Sequence, residues 1–295
     1  MKLRSPEHWS DYQLIDSGQG MKLERFGDVT LIRPEPQAIW DISLTMKEWQ
    51  GQADAQFIRD SSKSRMRTGE YDGWKYAKKL PPNWRLRYRS DKLDFQLKLA
   101  FTAFGHVGVF PEQADNWEYI SDVAHHIGTG SVLNLFAYTG GASLAARAAG
   151  FEVTHVDAVR NMINWANENQ QQSKLDGIKW VVEDALKFTQ KEVKRGKQYQ
   201  GIILDPPAYG RGPAGEKWVL EEGLPEILKA CGQLLAPTKS FLILNLYSMG
   251  LSAVVAANLA KAYFNAKEVE FGEFVINAVH GHSLPLGIFV RFTRP

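Results

Sequence analysis

The chain has 295 residues, 44% apolar and 23% charged, an ordinary globular composition longer than most single cores, so two domains are expected. Its one cysteine, Cys231, excludes an internal disulfide and a multi-cysteine zinc site. Residues 1–10 hold no apolar run, and apolar stretches such as 241–244 and 288–290 are strand-length. A signal peptide and a membrane span are therefore not expected, and a cytoplasmic protein is.

The net charge of +2 is unevenly spread. From Arg59 to Lys98 twelve Lys/Arg stand against five acids, a local +7 that leaves −5 for the rest. Such segregation suggests an anionic partner for the N-terminal half, although a solvated charged hairpin would look the same. Up to residue 105 the pattern is mainly β. Residues 28–33 read as a strand ending at Pro34, and 84–89 and 95–102 alternate as hairpin strands around Ser90-Asp91. That alternation places Arg85, Arg87 and Arg89 on one face; Arg85, Arg87 and Lys98 are candidate RNA contacts. Residues 105–108 mark a boundary between a small mainly-β domain (1–105) and an α/β domain (106–295). A helix is predicted to start at Pro111, whose fixed φ suits a first helical position.

From residue 131 strands and helices alternate. Strands are predicted at 132–136, 152–157, 179–182, 201–205 and 241–246, and helices at 142–149, 162–171, 185–194, 224–235 and 253–263. Gly150 and Gly196 sit where helices would end. This is the βαβ rhythm of a doubly wound, mostly parallel sheet. Two final strands near 266–275 and 286–292 have no helix between them and predict an antiparallel hairpin at the sheet edge. Cys231 shares a helical stripe with Leu224, Ile227, Leu228 and Leu235, which predicts a small buried hydrophobe.

Ligands of such sheets sit beyond the strand tips. The first α/β strand runs through Asn134, Phe136, Tyr138 and Thr139 into Gly140 and Gly141, a turn that lets backbone approach a ligand; any tight turn could use the same pair. The second ends at Asp157, 17 positions after Gly140, placed to accept hydrogen bonds from ribose hydroxyls. The third ends at Asp184, which could accept from an adenine amine or cap the next helix. No G-x-G-x-x-G is present at this turn, which favours S-adenosylmethionine (SAM) over NAD because SAM carries no phosphate. The fourth strand ends in Asp205-Pro206-Pro207-Ala208-Tyr209. The prolines remove two N–H donors and would leave nearby carbonyls free for a planar amine. Asp205 would hold the target group or steer the SAM amine, and Tyr209 would stack a base. A mobile glycine-rich segment follows, with Arg211, Lys217 and Trp218 as substrate contacts; the alternative is an ordinary Pro-Pro turn with a loose loop.

The stretches VLNLFAYTGGAS (132–143), THVDAVRNMINWANEN (154–169), EDALKFTQKE (183–192) and LDPPAYGRGPAGEKW (204–218) resemble the class I methyltransferases near the bacterial large-subunit rRNA methyltransferases. GVFPEQADNW (108–117) and KLERFGDVTLIRPEPQAIW (22–40) are similar to a subgroup of them. The resemblance implies a seven-stranded sheet with an antiparallel seventh strand. It implies SAM held by residues 134–141, Asp157 with its neighbour Ala158 at the ribose, and Asp184 and Ala185 around the adenine. Phe110 and Gln113 would close over the cofactor. Relatives that methylate cytosine C5 carry a nucleophilic Cys just after the fifth strand, where this chain has Leu246-Tyr247-Ser248. A ring carbon needs that thiolate before it becomes nucleophilic, so a base nitrogen in RNA is the expected acceptor and ribosomal RNA the expected partner. The competing readings are an NAD-dependent oxidoreductase and an RNA-binding module on an inactive methyltransferase fold. His106, His155, His280 and His282 are too scattered to suggest a metal, and none is expected.

Overall fold

Alternating apolar residues in the first hundred positions build two small β units. They belong to a computed structural model that describes residues 1–7, 9–58, 73–247 and 250–295. After β1 (Lys2–Arg4) come β2 (Tyr12–Gly18), β3 (Met21–Phe26), β4 (Val29–Pro34), α1 (Met46–Gln52), β5 (Ala55–Phe57) and β6 (Trp74–Tyr76). β2 to β6 form a five-stranded sheet in chain order. β4 and β5 are parallel, and α1 is their crossover, started by a Thr45/Glu48 capping box. The hairpin β7 (Asn83–Arg89) and β8 (Asp94–Ala100) follows, with Leu86 and Tyr88 turned inward and Arg85, Arg87 and Arg89 outward, as the alternation requires.

The helix expected at Pro111 begins as a 3-10 turn, Pro111–Gln113, and continues as α2 (Ala114–Ile127). Then come β9 (Ser131–Leu135), α3 (Gly141–Ala148), β10 (Glu152–Asp157), α4 (Arg160–Gln172), β11 (Ile178–Val182), α5 (Ala185–Lys194) and β12 (Gly201–Leu204). A short ribbon, β13 (Tyr209–Arg211) and β14 (Lys217–Val219), leads to α6 (Leu220–Leu234), β15 (Ser240–Leu246), α7 (Ala253–Phe264), β16 (Glu270–Ile276) and β17 (Leu284–Arg294). Gly150 and Gly196 both have left-handed φ just past their helices, as expected.

The main sheet runs β1-β16-β17-β15-β12-β9-β10-β11, and every pairing is parallel except those of β17. Seven of these strands are the expected set; the eighth is a correction. The N-terminal β1 adds to β16, so the β16–β17 hairpin is not the edge, and β17 is inserted between β15 and β16. Strand order reverses between β9 and β12, and a crevice opens beyond their carboxyl ends. The hydrophobic core runs without a break past residue 105. Trp9 and Tyr88 meet Trp117 of α2 edge-on, at ring distances of 5.5 and 5.0 Å. Cys231 is fully buried in α6 among Leu224, Ile227 and Leu228, as its stripe predicted. Among the described residues, no helix is long and apolar enough to cross a membrane.

Candidate active site

The glycine turn is held from behind. Phe136 and Tyr138 have φ of 55° and 49°, and Gly140 has 90°. A left-handed non-glycine residue costs about 1–2 kcal/mol, so two in one loop need support. Asp157 supplies some of it: its carboxylate accepts from Tyr138 N at 2.9 Å and Val159 N at 2.8 Å. Thr139 Oγ1 donates to the Gly108 carbonyl at 2.6 Å, and Asn169 donates to the Thr139 carbonyl at 2.9 Å. Asn134 donates to Ser143 Oγ, which sits 3.0 Å from His155 Nδ1. His155 is a packed core imidazole whose pKa burial pushes down to about 3. Gly141 is required by packing: a Cβ there would stand 2.8 Å from the Trp117 ring.

In front of this turn lies a cleft of about 490 Å³, including its open mouth, whose walls include Phe110, Gln113, Asn134, Tyr138, Asp205 and Asn245. Phe136, Thr139, Gly140 and Gly141 also line it. Asp157, Ala158, Asp184 and Ala185 do not wall it. Asp157 spends one lone pair on each oxygen and keeps others for a ligand. Burial raises its pKa, opposed by its two N–H donors. Asp184 accepts from Lys187 N at 2.9 Å and so carries the capping bond that was its alternative role. Ala185 opens α5 and is buried in the same hydrophobic cluster as Phe188.

Asp205 stands at the tip of β12 in the cleft wall. Its Oδ1 is shut off from solvent and has no hydrogen-bond partner among the described residues. Burial, then the charge of Glu112, pushes its pKa up to about 8. Pro206 is buried, Pro207 exposed, and Tyr209 is 74% exposed, its ring free to meet an incoming partner. The glycine-rich segment is a β13–β14 ribbon with Arg211 opposite Lys217, so the alternative of a loose loop does not hold. Two expectations are corrected here. The Pro207 carbonyl is not free, because Trp218 Nε1 donates to it at 2.7 Å. Trp218 itself is buried against Phe136, at a ring distance of 4.8 Å, and pins the ribbon rather than facing substrate. Arg211 and Lys217 are exposed on the ribbon.

The basic hairpin is partly neutralised. Arg87 Nε donates to Asp94 at 2.7 Å, and Lys98 pairs with Glu168 at 2.6 Å. Arg85 is exposed and has no ion pair among the described residues. Arg59, Lys63, Arg65 and Arg67 of the basic segment, like Ser248, lie outside the described residues.

Several groups at the cleft escaped the sequence reading. Glu112 is buried and accepts from Tyr247 Oη at 2.8 Å; burial foremost raises its pKa to about 7. Gln113 donates to Tyr247 Oη at 2.6 Å, and Asn116, Asn245 and Arg291 complete a buried polar chain behind it. Only the motif PEQ at 111–113 hinted at it. Nothing in the local pattern marks Asn245, Tyr247 or Arg291, which come from distant strands.

A family profile for S-adenosylmethionine-dependent methyltransferases matches residues 91–269. The chain belongs to that family. A SAM-dependent methyltransferase of Agrobacterium tumefaciens, solved by crystallography, is 38% identical with a TM-score of 0.88, over 99% of this chain and 93% of that one. A methyltransferase structure with S-adenosylhomocysteine (SAH) aligns at TM-score 0.71 and 15% identity over 97% of this chain and 76% of the other; this likeness concerns the fold. The ribosomal RNA large subunit methyltransferase K/L of Shewanella frigidimarina is 30% identical over 51% of this chain and 21% of the relative. Methyltransferase I of Aeromonas salmonicida is 30% identical over 45% and 34%. The chain thus matches about a fifth to a third of the length of these curated relatives. The enzyme class and its cofactor, SAM, follow from the family, and an NAD-dependent oxidoreductase is excluded. The cleft of this methyltransferase suits the cofactor: aromatic rings line it, and an unpaired carboxylate oxygen complements a cation.

Proposed function

We propose that this methyltransferase transfers the methyl group of SAM to a nitrogen of an RNA base, with ribosomal RNA the favoured substrate and the cytoplasm its place of action. The observation that carries the reading is Asp205 Oδ1, buried in the cleft wall with no partner among the described residues; Tyr209, four positions further along the chain, has an exposed ring. A buried acceptor left unpaired is costly, and an exocyclic amine is a donor of the right size to satisfy it. Tyr209 would stack the base while Pro206 and Pro207 hold the strand tip still. When bound, SAM supplies a methyl group on a sulfonium, so the protein's part is to align the nitrogen with it and exclude water. Residues 134–141 would hold the cofactor's amino-acid portion, Asp157 with Ala158 the ribose, and Asp184 with Ala185 the adenine, while Phe110 and Gln113 cover it. Arg211, Lys217 and Arg85 are free to meet phosphates, with Arg87 and Lys98 beside them.

Thiol chemistry at a ring carbon is disfavoured. Cys231, the one thiol, is fully buried inside α6, and burial pushes its pKa up. The relatives named as large-subunit rRNA methyltransferases support the choice of RNA. The test is incubation with labelled SAM and undermethylated ribosomal subunits, free rRNA and total protein. Label is expected in RNA, and nucleoside analysis should find it on a base nitrogen. Label in protein, on a ring carbon, or nowhere would sink the reading.

A further inference from the structure

Arg291 is 3% exposed, and its guanidinium offers only donors. It pairs with Asp115 at 2.6 Å and Glu270 at 3.1 Å, and also faces Asn116 Oδ1 at 3.2 Å. That contact fixes the Asn116 amide, whose nitrogen donates to Gln113 Oε1 at 2.9 Å and Asn245 Oδ1 at 3.0 Å. Asn245 then donates to Gln113 Oε1 at 3.1 Å, which leaves the Gln113 nitrogen to donate to Tyr247 Oη. The Tyr247 proton has one direction left, towards Glu112. The chain of bonds is therefore polarised from a buried cation to a buried carboxylate, and it holds Glu112 beside the cleft where Asp205 Oδ1 is unpaired. Asp205 feels the charge of Glu112, and Tyr247 feels both acids.

We propose that Glu112 and Asp205 form a proton-coupled carboxyl pair that releases a proton to solvent when the cationic sulfonium cofactor enters the cleft and recovers one when the cofactor is a neutral thioether. This rests on the reading of the cleft as the SAM site and of the acceptor as a nitrogen bearing hydrogen. Two like charges in one desolvated site resist joint ionisation, so the empty pair keeps a proton near neutral pH. The values to which burial pushes them, about 7 and about 8, agree. A positive charge in the cleft favours the doubly ionised form, and its loss restores the proton.

The surrounding charges do not supply this response themselves. From the N-terminal sheet Lys22 of β3 lowers the proton affinity of Glu112, while Glu24 of β3 raises it. Glu24 is itself held by Arg33, Lys22 and Tyr12. Asp115 and Glu270 are committed to Arg291. Among the described residues, the two acids of the pair are not held in an ion pair. In the reaction the acceptor's lone pair forms the N–C bond and the C–S electron pair stays on sulfur. The surplus N–H proton then passes to the ionised Asp205, one proton per methyl group. Asp205 is the group that meets the acceptor; Glu112 and Tyr247 are positioning residues that set its basicity.

The test is calorimetric titration of the full chain with SAM and with SAH, in buffers of different ionisation enthalpy, which counts protons released on binding. At about pH 7.5 the wild type should release roughly half a proton or more with SAM beyond the count with SAH. Glu112→Gln keeps a partner for Tyr247 but removes the charge, so the pH at which this excess peaks should fall by about one unit. Tyr247→Phe strips a donor from Glu112 and should move the peak the opposite way. Asp205→Asn should remove most of the excess. The ligands' own amino groups titrate alike in every variant, so differences between proteins report the pair. Equal proton counts across wild type and variants, with both ligands bound, would overturn the pair alone. Failure to bind either ligand would overturn the reading of the cleft and the pair with it.

Discussion

Replacing Asp205 with Asn should change how stability depends on pH, because burial keeps this acid protonated far above the ordinary aspartate value. In the unfolded chain the carboxyl loses its proton near 3.8, and in the folded protein only near about 8. Between those values the folded state binds more protons than the unfolded state, so stability contributed by the protonated group falls as pH rises through the window. Asparagine does not titrate, so Asp205→Asn should gain on the wild type as pH increases from about 4 to about 8. The full difference in pKa corresponds to a ceiling of ~6 kcal/mol. Asp205 as a whole is half-buried although its Oδ1 is not, so solvent reduces the expected gain to about 1–3 kcal/mol. In a chain of this size that is roughly 1.5–5 °C of relative melting temperature. Scanning calorimetry of both proteins at several pH values in this window reads it directly. The variant should also lose methyl transfer while still binding SAH. A melting-temperature difference that stays flat with pH would mean that Asp205 ionises like any surface acid, and the reasoning would fail.

Asp157→Ala should weaken SAH binding by about 1.5–3 kcal/mol, tenfold or more in Kd, and also lower stability, since the Tyr138 amide loses its acceptor; unchanged affinity by calorimetry would move the ribose site elsewhere. Trp218→Phe keeps the ring against Phe136 but drops the bond to the Pro207 carbonyl. Turnover should fall while SAH affinity stays within about twofold, at a stability cost of ~1 kcal/mol; undiminished turnover would show that the pin does not position the acceptor. Arg85→Glu should flatten the salt dependence of RNA binding by about one unit of slope, more than Arg87→Glu or Lys98→Glu, whose charges are already paired; no change in all three would leave the hairpin a solvated surface.

How much of this was legible beforehand follows from what repeats locally. Helical and strand periodicity record which face of an element is buried, so the alternation after residue 131, the arginine face of β7 and the buried stripe holding Cys231 could be read from residue order alone. The strand-tip residues were legible for the same reason: in a doubly wound sheet the tips converge, whatever packs around them. Partners distant in sequence leave no such trace. Tyr247 reaches Glu112 across 135 positions, Arg291 reaches Asp115 across 176, and β1 joins β16 from the far end of the chain. Trp218 has the composition of a surface anchor, and only packing against Phe136 turned it inward. Charge behaves likewise. Asp157, Asp184 and Asp205 are equivalent letters at equivalent strand tips, yet one braces a loop, one caps a helix and one is left without a partner. Sequence alone determined which residues stand at the strand tips, because that depends on local order. Tertiary structure decided which of them kept a proton or a free lone pair, because desolvation and hydrogen-bond supply are set by neighbours from the whole chain.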